Sequence, residues 1–149
     1  MYKKILVPLD GSRASEAVLP HVANLAGMTG AEIVLLRVVT TPVLEFANTD
    51  FVPPLSPSDT HPDLFAQADG YLQRVAFDLF PENLPVTYQV MGGPIAEAIL
   101  DTTAATDVDL IAMSTHGRGG LARLVLGSVA DEVVRPSHVP VLLIRPLHE

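Results

Sequence analysis

Between residues 114 and 128 the chain reads Ser-Thr-His-Gly-Arg-Gly-Gly-Leu-Ala-Arg-Leu-Val-Leu-Gly-Ser. Ser114, Thr115, His116, Gly117, Arg118, Gly119 and Gly120 come first, and Gly127-Ser128 close the stretch. Glycine leaves the backbone open to close approach, and successive N–H groups in a glycine-rich turn form a concavity that binds anions. The N–H groups of Gly127, Ser128 and Val129 at a helix start would add a partial positive charge of about 0.5. A triphosphate would fit between loop and helix, with the Ser128 hydroxyl as donor. Arg118 and Arg123 are the cations of the stretch. A tight connection without a ligand is the competing reading.

His116 titrates near neutrality in its unperturbed state, which makes it a candidate base. No neighbouring motif supplies an orienting carboxylate, so a structural or phosphate-contacting role is the simpler expectation. His21, His61, His138 and His148 lack metal-ligand spacing. Absence of cysteine excludes disulfides, thiolate zinc sites and thiol catalysis. The chain contains neither a Gly-x-x-x-x-Gly-Lys-Ser/Thr loop nor Gly-x-Gly-x-x-Gly after its first strand. Any phosphate site must therefore rest on the 114–128 stretch.

These residues need a scaffold. Ile5-Leu6-Val7-Pro8 is a continuous apolar run, the pattern of a strand buried on both faces, and Asp10-Gly11-Ser12 ends it. Asp10 at that turn serves as helix cap, ligand contact or both. Ser12 is expected to cap one helix running through Ala26, with Gly27 and Gly30 as the stop. A second buried strand is expected at Ile33–Val39, where Val38 is first of all a core residue. Prolines 42, 53, 54, 57 and 62 make residues 40–62 a long surface loop. Beyond it, the pattern predicts a helix from Asp63 to Phe80 and a strand from Val86 to Met91. A helix from Ile95 to Ala105, a strand from Leu110 to Met113, a helix from Val129 to Arg135 and a strand from Pro140 to Ile144 complete it. Alternating strands and helices imply a parallel sheet covered on both faces, in which ligands bind outside the carboxyl ends where strand order reverses.

The 149 residues suit one domain, 1–149. A formal charge of -8, with nine scattered Lys and Arg, opposes nucleic acid and anionic membrane as partners. No apolar run approaches the roughly 20 residues of a membrane span, and the apolar start is too short for a signal peptide; a cytoplasmic location is expected.

Taken together, Ile5 to Ser12, Leu36-Arg37-Val38, Asp109 to Arg118, Leu126 to Val129 and Pro140 to Ile144 resemble the universal stress protein family. The resemblance covers the chain except the proline-rich loop. It implies an α/β fold: one doubly wound, adenine nucleotide alpha-hydrolase-like domain with a five-stranded parallel sheet of order 3-2-1-4-5. The family's ATP-binding branch carries Gly-x-x-Gly, nine residues, then Gly-Ser or Gly-Thr. Gly117, the nine residues Arg118 to Leu126, and Gly127-Ser128 fit, while Ser114 replaces the first glycine and resists positive φ. The resemblance implies that Pro8, Asp10 and Val38 border adenine and ribose, and that Ser114 to Gly120 and Gly127 to Ala130 wrap ribose and phosphates.

It further implies ATP, with Mg²⁺ bridging its phosphates, in a regulatory protein whose surface another protein reads. A slow ATPase, and a stress protein without nucleotide acting through protein partners, are the alternatives. Val141, Leu142, Leu143 and Ile144 are expected at a sheet edge, where pairing across a two-fold axis would make a homodimer. Gly127→Val is expected to block the phosphates and leave the fold intact.

Overall fold

The computed structural model describes residues 1–40, 62–116 and 126–147. Its centre is β1 (Lys4–Leu9), in which Ile5, Leu6 and Val7 are wholly buried. β1 pairs in parallel with β2 (Glu32–Val39) on one side, from Lys4↔Glu32 to Leu9↔Arg37. On its other side it pairs with β4 (Leu110–Ser114). β3 (Val86–Gly92) extends the sheet beyond β2, and β5 (Val141–Ile144) extends it beyond β4. The order is β3-β2-β1-β4-β5, as the family resemblance implies, and it reverses between β1 and β4.

Alternation along the strands divides the apolar residues between two cores. Ile5, Val7 and Leu9 join Ile33 and Leu35 on one face. Three helices cover it: α1 (Arg13–Glu16), α2 (Leu19–Thr29) and α3 (Pro62–Leu79), the last two inserting Val22, Ala26, Leu72 and Val75. Leu6, Val34, Leu36 and Ile111 form the other face beneath α4 (Ile95–Ala105) and α5 (Ser128–Val134).

The single helix expected from Ser12 to Ala26 is two. Ser12 does cap, its hydroxyl accepting from Ser15 N at 3.1 Å, but α1 stops at Glu16. Pro20 lacks the N–H that would bond Glu16 O and its ring crowds that carbonyl, so the ladder restarts with proline in the first turn of α2. Gly27 lies within α2 and stops nothing. Gly30, at φ 75°, ends the helix by donating to Ala26 O at 2.8 Å. The other element boundaries move by one residue or none, and the proline-rich segment 41–61 lies outside the described residues.

A side chain stitches the amino end of the sheet. Asp109, just before β4, accepts from the amides of Lys3 at 2.8 Å and Lys4 at 3.0 Å. Partial desolvation alone would raise its carboxyl pKa, but the two N–H donors outweigh it and hold the group below the ordinary aspartate range. A carboxyl depressed by folding contributes stability that is full above the unfolded pKa of about 3.9 and vanishes as pH falls through the folded value. Asp109→Asn should therefore cost about 1 kcal/mol at neutral pH. Denaturation midpoints of variant and parent should begin to converge below about pH 4 and coincide once pH is under the depressed folded value.

Candidate functional site

At the carboxyl end of β1 the chain turns sharply through Asp10-Gly11-Ser12, with Gly11 at φ 88°, a conformation a side chain resists. Asp10 Oδ1 accepts from the amide of Ser12 at 2.8 Å and from its hydroxyl. Asp10 thus closes the turn, while Ser12 caps the helix. Buried Ser15 adds a second clasp: its hydroxyl donates to Ser12 O at 2.9 Å and accepts from Asp10 N at 3.2 Å.

The end of β4 is anchored to the same place. Ser114 is buried in the strand, and its hydroxyl donates to Ala14 O at 2.6 Å and Ser15 O at 3.3 Å. Thr115 N donates to Ile144 O at 2.9 Å, and Thr115 O accepts from Gly127 N at 2.7 Å. The chain that leaves β4 is thereby returned to it before α5 begins. The Thr115 hydroxyl lies 3.2 Å from His116 Nδ1. Gly127 precedes α5 at φ -61° and ψ 160°, with no side chain capping the helix.

These clasps enclose a cavity of about 380 Å³ over the switch between β1 and β4. β1 and its turn contribute Pro8, Leu9 and Asp10, and α1 contributes Ser15; β2 contributes Leu36, Arg37 and Val38. Ile95 and Ile99 of α4 and Met113 of β4 add apolar surface. Ser114, Thr115, His116, Gly127, Ser128, Val129 and Ala130 complete the lining. All ten described residues of the expected ligand contacts therefore surround one cavity. Gly117, Arg118, Gly119 and Gly120 lie outside the described residues. Among the described residues no three His, Asp or Glu converge as metal ligands.

Residues 1–145 match the model of the universal stress protein family. This chain belongs to the universal stress protein family. It is 30% identical over 150 residues to universal stress protein MJ0531 of Methanocaldococcus jannaschii, covering 97% of this chain and 83% of that one. The solved structure of MJ0577, from the same organism, superposes with a TM-score of 0.83 at 28% identity, covering 100% of this chain and 99% of the other. A universal stress family protein of Arabidopsis thaliana solved with AMP bound shares the fold, with a TM-score of 0.62 at 14% identity over 97% and 92% of the two chains.

Two expectations for this family member change with the geometry. Ser114 was the position where a side chain threatened a positive φ. It occupies extended strand instead, and among the described residues Asp107 is the non-glycine residue with positive φ. The second concerns Gly127. Its amide is engaged by Thr115 O, so the helix-start donors left to a ligand begin at Ser128. A Cβ added at Gly127 would stand 3.1 Å from Thr115 O and 3.3 Å from His116 Cα, both backbone atoms. A side chain here would force the backbone of Thr115 and His116 to give way by a few tenths of an ångström before any ligand arrives.

Leu9, Ser15, Leu36, Arg37, Ile95, Ile99 and Met113 line the cavity without being among the expected contacts. Their signal is position alone: strand carboxyl ends, α1 and the first two turns of α4. Gly127→Val should consequently disturb the fold as well as the cavity, lowering stability by about 1–3 kcal/mol as overpacking does. A thermal midpoint equal to the parent's would contradict the close approach.

Proposed function

We propose that this chain is an adenine-nucleotide-binding regulatory module and that ATP is its ligand. The observation that carries the reading is the gathering of Pro8, Asp10, Val38, Ser114–His116 and Gly127–Ala130 around one cavity at the strand-order switch. Adenosine would pack among Val38, Ile95, Ile99 and Met113, which offer apolar surface to a base. Phosphates would extend towards Ser128, whose amide and hydroxyl open a helix. Support comes from the family match and from the AMP-bound relative of the same fold.

Asp10 is the carboxylate lining this cavity among the described residues, and its Oδ1 is already hydrogen-bonded to Ser12. Mg²⁺ would accordingly be held chiefly by phosphate oxygens, neutralising their charge. His116 pairs with a threonine hydroxyl, and no described carboxylate orients it as a base. The arrangement supports nucleotide binding over hydrolysis, with the nucleotide altering a surface that a protein partner reads.

Calorimetry with MgATP should give a dissociation constant in the micromolar range, about -8 kcal/mol. Absence of both heat and thermal shift at millimolar MgATP would overturn the reading.

The module is also proposed to be a homodimer through β5. That strand is an edge of the sheet, its four apolar residues Val141, Leu142, Leu143 and Ile144 are all half-buried, and one of its sides is unpaired among the described residues. Leu142 and Ile144 pack on one core of the protomer, Val141 and Leu143 on the other. Aspartate at either leucine would therefore damage the protomer too, which makes hydrodynamics of the unmodified protein the deciding measurement. Sedimentation at micromolar concentration should give twice the 15.9 kDa chain mass, and a monomer would refute the assembly.

A further inference from the structure

A second cavity, of about 860 Å³, opens beside the first at the same end of the sheet. Asp10, Arg37, Val38 and Ile95 line both. Strand alternation separates them: Arg37 shares the parity of Ile33 and Leu35, which face α3, whereas Val38 shares that of Val34 and Leu36, which face α4. The first cavity thus lies mainly on the α4 side and the second on the α3 side, meeting over the ends of β1 and β2.

From α3 the second cavity receives Gln67, Tyr71 and Arg74. Tyr71 donates its hydroxyl proton to Glu16 Oε2 at 3.0 Å, tying α3 to α1. Burial pushes its phenol pKa up, and Glu16 and Asp10 push the same way, so the tyrosine stays neutral. Among the described residues the charges lining the cavity are Arg37, Arg74 and Asp10. Asp10 already receives two hydrogen bonds from Ser12, whereas Arg74 is exposed and has no ion pair or hydrogen bond among the described residues. Two guanidiniums beside a hydrogen-bonded carboxylate favour an anion, and the planar donor fork of arginine matches phosphate.

We propose that this second cavity is a subsite for an additional phosphate carried on the ribose of the bound adenine nucleotide. The inference rests on the nucleotide reading above: with the 5′-phosphates towards Ser128 and the nucleoside against Val38 and Ile95, the ribose hydroxyls abut the wall common to both cavities. A 3′-phosphate crosses that wall towards Arg37 and Arg74. The ligand class is then a ribose-phosphorylated adenine nucleotide, distinguished from ATP and AMP by charge at the nucleoside end.

Calorimetry at low ionic strength, where such contacts are least screened, compares AMP with adenosine 3′,5′-bisphosphate. The bisphosphate should bind about tenfold more tightly to the parent. Arg74→Glu should bring the ratio of the two dissociation constants to one or reverse it, and Arg74→Lys should retain part of the preference. Because Arg74 is exposed, neither substitution threatens the core. AMP binding with no preference for the bisphosphate, or a preference unchanged in Arg74→Glu, overturns the subsite and leaves the nucleotide reading standing. Failure of both nucleotides to bind overturns the two together.

Discussion

A strand that must be paired along both edges and buried on both faces governs this molecule. β1 has no side open to water: β2 and β4 take its hydrogen bonds, and the helices of both layers cover its side chains. Such a strand tolerates only apolar residues through its middle, which Ile5, Leu6 and Val7 supply. The chain can build outward from it in two directions, first to β2 and β3, then back across to β4 and β5. The helices that follow β1 and β4 therefore lie in opposite layers, and the gap between the two strand ends is the floor of the cavity.

A gap of that origin is only a shape; its rigidity comes from small polar side chains. Ser114 spends its hydroxyl on the carbonyls of Ala14 and Ser15, which fixes α1 against β4. Ser15 in turn holds the backbone of Asp10. The turn after one strand and the end of another thus belong to a single hydrogen-bonded unit. Buried hydroxyls of this kind have low entropic cost and leave no donor unsatisfied, and among the described residues no buried side-chain polar atom lacks a partner.

Much of this was legible in the sequence, and the failures are instructive. Continuous apolar runs make the inner strands readable, and Gly127-Ser128 of the glycine punctuation lies in the cavity's lining. The α1–α2 break was missed because the apolar stripe runs on through Ala17 and Val18 while Pro20 interrupts only the backbone. Ser15 carries no motif, and Arg37 enters only as part of Leu36-Arg37-Val38; their place in the lining appears only when α1, β1 and β2 are brought together. Gly127 was read as room for an anion, whereas its neighbours are Thr115 and His116 of its own chain. Residues 41–61 and 117–125 fall outside what the structure describes.

The hydrogen bond from Gly127 to Thr115 has one further consequence, for how such a protein diversifies. It closes the chain on itself at the point where β4 has just ended and α5 is about to start, so the sheet meets the same two anchor residues whatever connects them. Closing a longer connection costs only about 0.6 kcal/mol per doubling of its length. What selection must preserve at this point is thus the meeting of Thr115 and Gly127, more than any one length of chain joining them.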